Sequence, residues 1–201
     1  MKIFKLILLI AAIFSLQFCS RDNSDETTSA NLSAQEKNDL LFSFEEEKMA
    51  RDTYIFLSNK WGIPQFANIQ NSEQSHMNAV ENLLKKYNIP YQNLPQGQFT
   101  DSDLQTLYNQ LTTQGNISKK LAFQAGATVE DVDIFDLKEM KTHSTNSQIL
   151  SVYEKLECGS RNHLRSFVAG ITNLGDTYTP QYISVSEYQS IINSANEQCG
   201  N

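Results

Sequence analysis

Phe66-Ala67-Asn68-Ile69-Gln70-Asn71-Ser72-Glu73-Gln74-Ser75-His76-Met77-Asn78-Ala79-Val80-Glu81-Asn82-Leu83-Leu84-Lys85-Lys86-Tyr87 is the stretch on which the fold turns. Phe66, Ile69, Met77, Val80, Leu83, Leu84 and Tyr87 recur at the three-and-four spacing of one helix face, and Glu73 and His76 fall on that same face. An isolated buried carboxylate costs far more than it returns, so this pair needs a partner. A metal ion satisfies a Glu and a His one turn apart. Two other readings stand beside it: the pair hydrogen-bonds to itself in the core, or the helix turns both residues to water.

Periodicity of this kind recurs along residues 34–201, with no sustained alternation of the sort that marks strands, so the expected class is all-α. Long helices are expected over about 34–60, 65–87, 118–141 and 147–173, with short ones over about 101–114 and after Ser184-Val185-Ser186-Glu187. Ser33-Ala34-Gln35-Glu36 reads as a capping box that opens the first helix, and Trp61-Gly62-Ile63-Pro64 closes it. A link of roughly thirty residues, carrying Pro95 and Gly97, separates the second long helix from the third.

The other long helices also place chelating residues on their apolar faces. The first aligns Glu47 with Leu40, Phe44, Ala50, Tyr54 and Leu57, while Glu45 and Glu46 read as a solvated charge run. The third aligns Glu130 and Asp133 with Phe123, Ile134, Leu137 and Met140, and the fourth aligns His163 with Leu156 and Phe167. Taken singly, each could be a satisfied core residue, and Asp133 could pair with Arg51 or Arg161. Taken together they ask for several independent buried charges, each costing several kcal/mol unless well paired, whereas a shared pair of cations about 3.5–4 Å apart relieves all of them.

Two helices, a long crossover and two more helices is the layout of ferritin-like bundles. Glu47-Lys48-Met49-Ala50-Arg51-Asp52-Thr53-Tyr54 resembles the first-helix pattern of the rubrerythrin branch, and Ser72-Glu73-Gln74-Ser75-His76 resembles its second-helix Glu-x-x-His. With Gly126 to Ile134 and Gly159 to Arg165, nearly the whole domain is similar to a bacterial and archaeal ferritin-like family of unknown function. The resemblance implies a ferritin-like four-helix bundle in which Glu47, Glu73, His76, Glu130 and His163 ligate two ions, iron or manganese, reacting with peroxide or oxygen. Ser160 stands where a glutamate of the fourth helix is expected, so either Asp133 replaces it or the second ion is weakly held or missing. A metal-binding or purely structural domain without turnover is the alternative. The electron donor is unknown, since no Cys-x-x-Cys is present, and Tyr54 either relays an electron or fills the core.

Met1 to Phe18 read as an export signal, with Lys2 and Lys5 before the apolar run Leu6 to Phe14, too short for a span of about 20 residues. The site at Cys19 resembles a bacterial lipoprotein signal, although Gln17 and Phe18 depart from the usual small residues; a bystander Cys19 is the alternative. Residues 19–33 then form a polar tether and 34–201 the domain, lipid-anchored in the cell envelope on the periplasmic face or the surface. Without residues 1–18 the chain has 16 − 2 = 14 basic and 23 acidic residues, a balance of −9 that argues against nucleic acid as a partner. Beyond the membrane anchor, a monomer or dimer is expected. Cys158 and Cys199 form a disulfide or remain two thiols.

Overall fold

The computed structural model describes residues 32–200; the signal, Cys19 and most of the tether lie outside the described residues. Six helices and no strand occur among them: α1 Ala34–Trp61, α2 Pro64–Lys86, α3 Ser102–Gly115, α4 Lys119–Thr142, α5 Ser147–Asn173 and α6 Val185–Ile192. Local chemistry sets their ends. Ser33 and Glu36 close a reciprocal capping box at the start of α1, and Gly62 ends it at φ 62°, a left-handed conformation open to glycine without a Cβ penalty. Pro64 begins α2 in the first turn, where a missing N–H costs nothing. Asp101, Ser118, Asn146 and Ser184 cap the remaining helices through their side chains.

The four long helices form a helical bundle in which α1 packs on α2 and α4, and α5 packs on α4 and α2. The short α3, inside the crossover, lies against α1 and α4, while α6 rests on α5. The apolar core is divided in two. One cluster gathers Tyr54, Phe66, Phe123 and Phe167; the other gathers Leu40, Phe44, Leu84, Leu137 and Tyr153. Along α1, α2 and α5 the change from one cluster to the other falls at the polar positions, Glu47, Glu73 with His76, and Ser160 with His163; on α4 it falls just past Glu130 and Asp133, after Ile134. A polar layer thus crosses the middle of the bundle.

Glu45 and Glu46 depart from the expected solvated run, for both are buried. Glu45 accepts hydrogen bonds from the backbone of Thr100 at 2.9 Å and Asp101 at 2.8 Å, because the crossover folds back over the outer face of α1. Lys48 ties down the same segment: its Nζ donates to Asp52 Oδ2 at 2.6 Å and to the carbonyls of Pro95 and Gln98 at 3.1 Å. The periodicity of one helix cannot register a loop that covers it. Midway along α5, Cys158 is joined to Cys199 of the C-terminal tail in a disulfide, and Arg161 and Arg165 grip Glu197 of the same tail.

Candidate metal centre

Glu47, Glu73, His76, Glu130 and His163 converge in the polar layer. Glu47, Glu73 and His76 each offer a ligand atom within 4.8 Å of the others, and so do Glu73, Glu130 and His163. Glu73 therefore belongs to both triads. Its Oε2 lies 2.9 Å from His76 Nδ1, and its Oε1 lies 2.8 Å from His163 Nδ1. The second pair lacks the alignment of a hydrogen bond, and Glu47 Oε1, Glu73 Oε1 and His163 Nδ1 are all buried without a hydrogen-bond partner. Such atoms point toward a common space more than toward one another. Both imidazoles turn Nδ1 inward: His76 Nδ1 also reaches Glu47 Oε2 at 3.2 Å, and His163 Nδ1 stands 3.4 Å from Glu130 Oε2.

The electrostatics of these side chains follow from this crowding. Burial pushes the Glu47 carboxyl up to about 7, against the pull of His76 and with the repulsion of Glu73. Burial also raises Glu130, and it raises Asp133 further, with Glu47 and Glu130 as repelling neighbours. Glu73 goes the other way: burial opposes its charge, but His163 and His76 together hold it well below the usual range. Burial disfavours the charged imidazoles, yet Glu73 and Glu130 carry His163 to about 10, and Glu47 and Glu73 raise His76. Protonated histidines here do the work that a cation would do.

Asp133 stands apart from both triads. It accepts a hydrogen bond from Ser160 Oγ, and neither arginine weighed as its partner reaches it: Arg51 pairs with Asp52, and Arg161 with Glu157 and Glu197. Tyr54, fully buried, donates to Oε1 of Glu130, whose Oε2 faces His163. His143 caps the C-terminus of α4 and lies 2.9 Å from Asp39, outside the centre. Gly159, on the inward stripe of the fourth long helix, lies against the centre: a Cβ there would stand only 2.6 Å from the His76 ring, a contact that the sequence does not show. Ser43, Glu46 and Tyr153 escaped the sequence reading; each is buried with an unpartnered polar atom.

Residues 36–195 match the uncharacterized protein domain DUF2202. The chain belongs to the DUF2202 family. A DUF2202 relative, the uncharacterized protein MJ0754 of Methanocaldococcus jannaschii, is 47% identical over 169 residues, spanning 83% of this chain and 91% of the relative. The crystal structure of the hypothetical protein MJ0754 from Methanococcus jannaschii has the same fold, with a TM-score of 0.81 at 48% identity, over 83% of this chain and 96% of that one. The polar mid-layer of this chain lies within the residues that match the family.

Proposed function

We propose that this chain is a ferritin-like, rubrerythrin-like four-helix-bundle protein that holds two transition-metal ions, iron or manganese, in its polar layer. Glu47, Glu73 and His76 would hold one ion, and Glu73, Glu130 and His163 the other, Glu73 being common to both groups. The observation that carries the reading is the shared triad, in which buried oxygens and imidazole Nδ1 atoms converge within 4.8 Å while several find no hydrogen bond. Carboxylate oxygen with imidazole nitrogen is a donor set suited to iron and manganese, and four facing helices supply it as di-metal bundles do.

When bound, such a pair supplies redox chemistry toward peroxide or oxygen. Burial of the carboxylates Glu47, Glu73 and Glu130, with His76 only partly exposed, restricts the reactant to a small molecule. Around the centre, Tyr54 orients Glu130 through its hydroxyl, and Ser160 does the same for Asp133. A second reading, metal holding without turnover, draws on the cysteines: Cys158 and Cys199 are bonded to each other, which leaves no thiol among the described residues to donate electrons. The lipid anchor at Cys19 and a cell-envelope location remain part of the proposal. Iron-loaded protein given hydrogen peroxide and an artificial reductant separates the readings. Peroxide consumption that disappears in Glu73→Ala supports turnover; tight iron binding without consumption supports holding alone; unchanged metal content in Glu73→Ala sinks the assignment.

A further inference from the structure

Ser160 has one hydroxyl proton and two oxygens around it that accept. Its Oγ lies 2.9 Å from the carbonyl oxygen of Leu156, one turn back on α5, and it also meets Asp133 Oδ2. A carbonyl has no proton to give, so the Leu156 contact uses the proton of the hydroxyl. The Asp133 contact then lacks a proton unless Asp133 brings one. A neutral carboxylic acid has one O–H to donate, and a hydroxyl oxygen that is donating still accepts. With a proton on Asp133 both contacts are hydrogen bonds; with a carboxylate, one of them is two oxygens with no proton between them.

The surroundings favour the neutral acid. Asp133 is 5% exposed and Ser160 1%. Among the described residues no lysine, arginine or histidine forms a salt bridge with Asp133. The charges it feels are those of other acids: Glu47 and Glu46 from α1, Glu73 from α2 and Glu130 on α4 itself. From α5 comes the Ser160 hydroxyl, with His163 one turn further along and turned to Glu73 and Glu130.

Position gives this proton a use. Glu130 and Asp133 are three residues apart on α4, and His163 and Ser160 three apart on α5. The contacts Glu130–His163, at 3.4 Å, and Asp133–Ser160 are therefore successive rungs between the two helices, about 4.5 Å apart along the axis. Asp133 thus stands one rung from a pair of candidate ligands.

We propose that Asp133 is held as a neutral acid, with Ser160 Oγ accepting its proton, and that it is the proton donor for peroxide reduced at the neighbouring Glu130–His163 rung. The donor role rests on the metal-centre reading above; the neutral state of Asp133 does not. Reduction of hydrogen peroxide to two waters breaks the O–O bond and takes two electrons and two protons. The electrons are those of an external reductant, passed through the centre; Asp133 gives one proton to the departing oxygen, and solvent gives the other. Asp133 is then a carboxylate, and the Ser160 hydroxyl turns from Leu156 to donate to it, while the Leu156 carbonyl keeps the backbone N–H of α5. A serine serves both states of the acid, first as acceptor and then as donor.

Infrared difference spectroscopy of the metal-free full chain reads the state of Asp133. Wild type minus Asp133→Asn at neutral pH is expected to show the C=O stretch of a protonated carboxyl, sensitive to heavy water, and Ser160→Ala to keep that band at a shifted frequency. No such band in the difference means an ionised Asp133 and overturns the proposal. Peroxide consumption by the iron-loaded full chain reads the donor role. Asp133→Asn is expected to hold the same two ions and to consume peroxide at least about 100-fold more slowly, as for a lost general acid. Wild-type consumption in that variant overturns the donor role alone. Loss of an ion in Asp133→Asn also overturns it, by making Asp133 a ligand. Wild type that binds no metal overturns the centre and the donor role together, with the infrared band still deciding whether Asp133 is neutral.

Discussion

Gly159→Ala tests the centre without touching a single donor atom. A Cβ added there stands 2.6 Å from Cε1 and Nε2 of His76, with His163 Cε1 next at 3.9 Å. Ordinary contact begins near 3.4 Å, so the His76 ring must retreat by about 3.4 − 2.6 = 0.8 Å. The backbone does not object, since alanine is favoured over glycine inside a helix by about 1 kcal/mol. The metal does, because a ligand distance tolerates only about 0.2 Å around an ideal of roughly 2.0–2.1 Å for nitrogen. A displacement about four times that tolerance resembles the loss of an outer partner, which costs roughly 10–100-fold in affinity. The assay is competition for Mn2+ or Fe2+ against a chelator of known strength, with apo-protein melting alongside. Gly170→Ala is the control, for its Cβ would clash with the Phe123 ring, in the apolar cluster of Tyr54, Phe66 and Phe167. It should lower the melting temperature and leave metal affinity alone. Wild-type affinity in Gly159→Ala refutes the placement of His76 at a metal.

Metal binding should release at least two protons per chain near neutral pH, because the neighbouring carboxylates outweigh burial and raise both His76 and His163 while ligation needs a free Nδ1, and Glu47, which burial lifts to about 7, gives up part of another; calorimetry in buffers of different ionisation enthalpy counts them, and affinity should fall as pH falls. Replacing Cys158 and Cys199 by serine opens a loop with a sequence separation of 41, and chain entropy sets the loss at about 4 kcal/mol, or roughly 10 °C in Tm by thermal denaturation. Glu197 is held down to about 2 chiefly by hydrogen bonds from Arg161, with Arg165 adding to them. Its folded value lies below its unfolded one, so its stabilisation is present above about pH 4.5 and lost as pH falls through about 2. The stability gap between wild type and Glu197→Gln in acid titration should close over that window, and a gap that widens toward low pH contradicts the assignment.

The long helices were legible because their apolar stripes repeat over many turns and their ends carry Ser33, Gly62, Pro64 and Asn146, whose chemistry acts within a few residues. Glu73 and His76 were legible for the same reason, as polar interruptions of an apolar stripe. Glu46 was not, since its stripe of Asp39, Ser43, Glu46, Ala50 and Thr53 is polar and small, and a count of apolar residues passes over it. Glu45 looked solvated because the segment that covers it, Thr100 and Asp101, is more than fifty residues away in the chain. Gly159 carried no local signal either: its role is set by the His76 ring on a different helix. Asp133 was expected among the ligands, and only the tertiary placement of Ser160 shows what it bonds to instead.

Anomalous diffraction from crystals of the protein loaded with iron or manganese tests the central claim most directly. Two peaks are predicted, about 3.5–4 Å apart, one bordered by Glu47, Glu73 and His76 and the other by Glu73, Glu130 and His163. A polar layer with no anomalous density under saturating metal, its carboxylates bonded only to His76, His163 and one another, would contradict it.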